Sequence, residues 1–328
     1  MFESITSSTT SSIIHSNTMR YDYIDIARGL AMLVVINWHI LDIHNPWTDA
    51  WVMPIFFLIM GVFYKQEETI KVILKKKINT ILVPHFFFSI PAFIIQLSTK
   101  PLMDVVKRIL NPYESINGNS WFLVCMFWCY LIYYFVHQIA KGDTNKVLIY
   151  SLIISLIGFY MNEVSIMGHR LVLPFYFSTS MTCMGFIAIG ERIRKWILTV
   201  PNKINTLWNI LITGILFIVG GVFILGVYPM EMIWNKYHQP FFEILYVAVT
   251  GSLFVISISR LLPSFLSILG KNSLLLLVTH AYVIRLLTIC GIEKGWILYS
   301  LVVVITTFLT VIINKFFPVL TGKTKLIK

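Results

Sequence analysis

Apolar residues gather along this chain into blocks that recur from residue 24 to residue 317, and the charges collect in the short stretches between them. Blocks such as Val147–Tyr160 and Leu207–Val227 approach or reach the roughly 20 residues with which a helix crosses a hydrocarbon core. Ten segments of this kind lie near residues 24–42, 48–64, 78–98, 120–139, 146–161, 170–190, 207–228, 240–259, 272–290 and 295–317. The pattern predicts an all-α, polytopic integral membrane protein with about ten transmembrane helices. One membrane domain, residues 21–318, would lie between a flexible polar tail at 1–20 and a short basic tail at 319–328.

Composition sharpens this picture. With 57% hydrophobic and 12% charged residues, the chain carries more apolar surface than a water-soluble fold can hide. The net charge of +11 would suggest nucleic acid as a partner for a soluble protein, but here the bases flank apolar blocks, where they orient a membrane protein in the bilayer. With a cytoplasmic N-terminus, the inner connections hold Lys65, Lys71, Lys75, Lys76, Lys77, Lys141, Lys146, Arg192, Arg194, Lys195, Lys203, Arg260 and Lys271. The opposite side keeps only Lys100, Lys107, Arg108, Arg170, Lys236 and Lys294. The asymmetry places both termini in the cytoplasm. Residues 1–20 are rich in Ser and Thr and lack the basic and apolar regions of a removable signal peptide, so the first helix is expected to be retained.

The same register puts His44, Asp49, His169 and His238 on the outer side beside Trp47, Trp51, Trp234 and Tyr237, a rim suited to a sugar, although such aromatics also serve as plain interfacial anchors. The longest outer connection, Thr99–Asn119, reads as a surface connection or as a short amphipathic helix or lid. Cys125, Cys129, Cys183 and Cys290 sit inside apolar blocks without a paired Cys-x-x-Cys pattern, so no metal site is expected and small packing residues are the plain reading.

The first apolar segment carries ions where lipid-facing helices avoid them. Asp25, Arg28, Met32, Val35 and His39 follow the three-and-four spacing of one helical face. Eleven residues bring Arg28 and His39 within about 20° in angle and separate them by roughly 16 Å along the axis. Both should look into one cavity, with Arg28 nearer the cytoplasm. Guanidinium stays charged and suits a phosphate or a donor carbonyl, Asp25 sits at i,i+3 range to hold it, and an imidazole takes a proton from a hydroxyl near neutral pH. The plainer alternatives are an interfacial Asp25–Arg28 ion pair and a hydrogen-bonded intramembrane histidine.

Arg28, ten intervening residues and His39 resemble the Arg/Lys-x10-His signature of the acyltransferase-3 membrane proteins, and Asp25-Ile-Ala-Arg-Gly-Leu-Ala resembles their first-helix opening. The stretch Met53-Pro-Ile-Phe-Phe-Leu-Ile-Met-Gly-Val-Phe is similar to the family's second helix, with Met60-Gly61-Val62 where many members have Ser-Gly-Phe. Lys75-Lys-Lys-Ile-Asn-Thr-Ile-Leu-Val-Pro84 resembles the basic stretch before the third helix, with Asn79 or Thr80 replacing the second basic position. Asn119-Ser-Trp-Phe-Leu resembles the fourth-helix opening, especially in the branch of the fucose 4-O-acetylases and related polysaccharide O-acetyltransferases. Leu269-Gly-Lys-Asn-Ser-Leu followed by His280 is similar to the late glycine, serine and histidine pattern.

The resemblance implies transfer of an acetyl group from acetyl-CoA, a substrate rather than a tightly bound cofactor, to a hydroxyl of an envelope or extracellular polysaccharide or lipid-linked glycan at the cytoplasmic membrane. It makes His39 the catalytic residue, as base or as transient acyl carrier, and Arg28, Asp25, Lys75, Lys76 and Lys77 the donor-binding set. Trp38, Trp121, Glu243 and His280 are candidates for the cavity or the acceptor, with helix packing or interfacial placement as the plainer reading of the last two. His85, His137 and His238 have structural explanations of the same kind. A separate protein is a possible acyl acceptor. The reading from a different class is a polysaccharide exporter or flippase, since a transporter also needs an ion-bearing cavity between helices.

Overall fold

The computed structural model describes residues 20–67, 69–110, 120–161, 165–166, 169–170, 173–199, 201–224, 230–321, 324 and 326. The Ser/Thr-rich tail up to residue 19, the end of the Thr99–Asn119 connection and half of the basic C-terminal tail lie outside them.

The chain opens with α1 (Asp22–Leu41), then α2 (Pro46–Val52) and α3 (Pro54–Val62). Each of the last two begins on a proline, whose missing N–H costs nothing in a first turn, and Asn45 caps α2 by accepting from the Trp47 N–H at 2.9 Å. Next come α4 (Ile70–Lys77) and α5 (Val83–Thr99), joined without a break by a π-helical turn, Ile78–Leu82, and followed by α6 (Leu102–Leu110). The pair α7 (Trp121–Ala140) and α8 (Thr144–Tyr160) turns at Lys141 and Gly142, both at positive φ, before Asp143 caps α8 through Asn145 N and Lys146 N. A two-residue antiparallel pairing, Ser165–Ile166 with His169–Arg170, precedes α9 (Phe177–Thr182), α10 (Met184–Arg192) and α11 (Arg194–Leu198). The remaining helices are α12 (Lys203–Ile224), α13 (Phe241–Ser259), α14 (Ser267–Lys271), α15 (Ser273–Ile289) and α16 (Trp296–Phe316).

Each of the ten apolar segments has most of its described residues on helices, and the protein is an all-α polytopic membrane protein. Among the described residues, six helices are long and apolar enough to span a bilayer, and Ser264–Lys271 with Ser273–Ile289 makes a seventh candidate bent by 71°. The segments near 48–64, 146–161 and 170–190 form shorter or interrupted helices, so the expected ten spans are not ten equivalent rods. A second difference concerns the lysines before residue 78. They were expected in a connection, yet the helix runs unbroken from Ile70 to Thr99, because lysine is a good helix former and its stem lies easily along apolar surface.

Close backbone contact welds the bundle at several crossings, two of which involve α3 and α1. Gly61 on α3 faces the Ile187 carbonyl of α10, and Gly190 on α10 faces the Leu58 carbonyl of α3. Gly29 on α1 lies against Leu269 and Gly270 of α14, and Gly270 in turn lies against the Asp25 carbonyl. Lipid offers no hydrophobic drive between helices, so small residues that admit close packing carry much of the association. The first crossing is reinforced by Glu191, which accepts from Tyr133 Oη, lies 2.9 Å from His137 Nε2 and stands 3.8 Å from Arg194, whose guanidinium also donates to Gly61 O at 3.2 Å.

A methyl group at Gly270 would collide with the Asp25 carbonyl, whereas a Cβ at Gly295 meets nothing within 4 Å. Gly270→Ala is therefore expected to destabilise the protein by about 1–3 kcal/mol. Thermal unfolding of the purified protein should show a lowered midpoint for Gly270→Ala and none for Gly295→Ala.

Candidate active site

The stripe on α1 is present as the spacing predicts, with Asp25, Met32 and Val35 buried and Arg28 and His39 on the same face. Asp25 Oδ2 accepts from Arg20 Nε at 2.7 Å, and its Oδ1 lies 3.5 Å from Arg28 Nη1. One carboxylate thus faces two guanidiniums and leaves the cluster a net positive charge. Arg28 Nη2 donates to Ser273 Oγ at 2.7 Å, at the first residue of α15, where the helix dipole adds partial positive charge.

These groups open on a cavity of about 360 Å³, the arginine chamber. Besides Arg28 and Ser273 its wall includes Lys77, Thr80, Ile81 and Tyr130. The π-helical turn Ile78–Leu82 supplies Thr80 and Ile81, and Lys77 just before it places Nζ 3.3 Å from the centre of the Tyr130 ring. A π turn re-aims the residues around it by one position, and such turns recur at functional sites.

Farther along α1, His39 opens on a second cavity of about 540 Å³, the histidine chamber. Its ring centre lies 5.1 Å from that of His280 on α15, at an interplanar angle of 37°. His39 is exposed to this space, while His280 is fully buried. His280 Nδ1 lies 2.8 Å from the Leu276 carbonyl, and a carbonyl only accepts, so Nδ1 carries the proton and a neutral ring keeps Nε2 as an acceptor. Trp38, His44, Asp49 and Trp121 complete the walls together with Met230–Ile233. That last segment is held in place by Thr179 Oγ1, which donates to Met232 O at 3.1 Å, and by the buried Asn235, bonded to Gly158 O and Thr182 Oγ1.

Arg28 and His39, expected to look into one cavity, open instead on two, because roughly 16 Å of helix separates them; the two chambers share three lining residues, Val35, Met53 and Leu277. A cationic pocket and a histidine pocket therefore adjoin at three apolar side chains. Chemically the first suits an anion and the second suits proton transfer by an accessible imidazole. The profile that defines the acyltransferase-3 family, an acyltransferase domain, matches residues 21–315. This chain belongs to the acyltransferase-3 family. No curated protein and no solved structure matches it.

In this membrane acyltransferase, Arg28 and Asp25 line or border the first chamber, and His39, Trp38, Trp121 and His280 line the second. The three lysines separate. Lys77 lines the arginine chamber, Lys76 turns outward to pair with Glu67 at 2.6 Å, and Lys75 is exposed, because successive helical residues point about 100° apart. Glu243, in the first turn of α13, is not among the residues lining either chamber.

Other features escaped the sequence. Tyr130 and Ser273 reach Arg28's chamber from helices far away in the chain, and only the serine lay in a family-like motif. The sulfurs of Cys125, Cys129 and Cys183 lie within 4.8 Å of one another; the i,i+4 pair on α7 was visible, but nothing in the spacing announced the third. The half-buried Glu191 of the α3–α10 crossing immediately follows the apolar segment 170–190.

Exposure separates the histidines in a way that chemistry can read. Diethylpyrocarbonate, which modifies accessible neutral imidazole, is expected to label His39 and the half-exposed His44 while sparing His280 in the folded protein. Peptide mass spectrometry after brief treatment checks the order, and equal labelling of His39 and His280 would contradict the described burial.

Proposed function

We propose that this acyltransferase carries an acetyl group from acetyl-CoA to a hydroxyl of an envelope or extracellular glycan, polysaccharide or lipid-linked, across the cytoplasmic membrane. The observation that carries the reading is the single helical face that presents Arg28 to one chamber and His39 to the other, with Val35, Met53 and Leu277 in the walls of both. Arg28, held by Asp25 and Ser273, and Lys77 bind the anionic donor from the cytoplasmic side. The lysine and arginine asymmetry supports that orientation, with both termini in the cytoplasm.

In direct transfer, neutral His39 takes the proton of the acceptor hydroxyl, the oxygen bonds to the acetyl carbon, the C–S bond breaks and the leaving thiolate recovers a proton. In the relay form, an imidazole nitrogen of His39 first bonds to the acetyl carbon as the thiolate leaves, and the hydroxyl then displaces it. Both use the same atoms, and an acetyl adduct on His39 in rapidly quenched protein distinguishes the second. The acceptor is a glycan itself or a separate acyl-accepting protein that serves one.

Mass spectrometry of envelope and exported glycans tests the reading. Deletion and an equally expressed His39→Ala protein are both expected to remove an acetyl increment of roughly 42 daltons while glycan amount stays constant. Unchanged acetylation with glycan retained inside the cell would overturn it. In purified protein, Arg28→Gln is expected to raise the KM for acetyl-CoA about tenfold or more, because a charge-assisted contact is lost, and Ser273→Ala should raise it by a smaller factor.

A further inference from the structure

The histidine chamber contains chemistry that the transfer step leaves unused. Asp49 is 4% exposed, and its Oδ2 has no hydrogen-bond partner of good geometry, His44 Nδ1 standing 3.4 Å away. Trp38 Nε1 is a buried donor without an acceptor. Both side chains line the chamber. Polar atoms taken from water and left unmatched are few in native proteins, and those that persist usually await a partner.

The surroundings say what kind of partner. Trp38 stacks on His44, ring centres 5.5 Å apart at 20°, so its plane is fixed, and Trp121 stands in the same wall system. A flat indole offers an apolar platform with a polar edge, which matches a sugar ring that has C–H faces and a rim of hydroxyls. The charge is equally informative. The residues lining the chamber include two carboxylates, Asp49 and Glu231, and neither lysine nor arginine, whereas the other chamber has Arg28 and Lys77. Glu231 has Lys236 3.8 Å away, whereas an anionic sugar at Asp49 would meet a carboxylate with no lysine or arginine in the lining to answer it.

We infer that Asp49 and Trp38 form the acceptor subsite of the histidine chamber, and that this subsite takes an uncharged sugar ring. Asp49 Oδ2 accepts a hydrogen bond from a hydroxyl that does not react, and Trp38 Nε1 donates to an oxygen substituent of the same ring. His44 is a positioning residue: it braces the carboxylate on one side and the indole on the other. Uronic acids, other acidic sugars and phosphorylated rings are excluded. This rests on the carbohydrate acceptor proposed above.

The test uses the full-length protein in lipid nanodiscs, labelled acetyl-CoA, and glycan extracted from cells that lack the protein, with mass spectrometry locating the label. Acetyl is expected on an uncharged sugar residue. Asp49→Asn should raise the KM for glycan about tenfold and Trp38→Phe about threefold, each with the KM for acetyl-CoA moving less than about twofold. Label on an acidic sugar, or a glycan KM for both variants within about twofold of wild type, overturns the inference while leaving the transferase reading intact. Parallel rises in both KM values assign Asp49 and Trp38 a structural role and also overturn it. Should Asp49→Asn fail to fold, Trp38→Phe, which keeps the stacked ring, decides alone. No transfer by the wild-type protein overturns the proposed function itself, and this inference with it.

Discussion

The approach of α1 to α14 at Gly29 and Gly270 sets the geometry of everything that follows. A backbone carbonyl, that of Asp25, lies against the α-carbon of Gly270, so the two helices are nearer than side chains would permit. Immediately beyond that contact the chain bends by 71° into α15, and α15 then runs beside α1 in the same direction. Arg28 consequently meets Ser273, and His39 meets His280. Two pairs of residues more than two hundred positions apart in the chain are brought into register by one steric fact.

Charge inside a membrane bundle has to be answered locally, and this protein does so at two places with opposite results. At the α3–α10 crossing, Glu191 is met by Tyr133, His137 and Arg194, a charge-matched cluster that ties helices together. At α1, Asp25 faces Arg20 and Arg28, so positive charge is left over beside a cavity. The difference follows from counting charges, one carboxylate to one guanidinium at Glu191 and one to two at Asp25. The matched cluster stabilises packing, while the unmatched one keeps an electrostatic demand that an anion can fill.

The periodicity of α1 revealed in advance which of its residues would share a face, because a single helix carries that information in its own spacing. The positions of apolar segments were equally plain, since lipid demands length and hydropathy of each one separately. What could not be seen depended on other helices. Whether Lys75, Lys76 or Lys77 enters a cavity is decided by the rotation of a helix whose start was itself misplaced by its charges. Glu243 is likewise not among the residues that line either chamber, a matter of how α13 packs rather than of its place in the chain. The 71° bend, the π turn at Ile78–Leu82 and the convergence of three cysteines are properties of packing, and no local pattern encodes them.

Val35, Met53 and Leu277, shared by the walls of both chambers, have a consequence for what each chamber can hold. Water running unbroken from the guanidinium of Arg28 to the imidazole of His39 would screen each from the ligand it faces. Three apolar side chains at the junction offer nothing to replace an ion's hydration shell, and apolar surfaces resist wetting. An anion drawn to Arg28 therefore meets a barrier to drifting toward the carboxylates of the histidine chamber, and each cavity keeps its own electrostatic character.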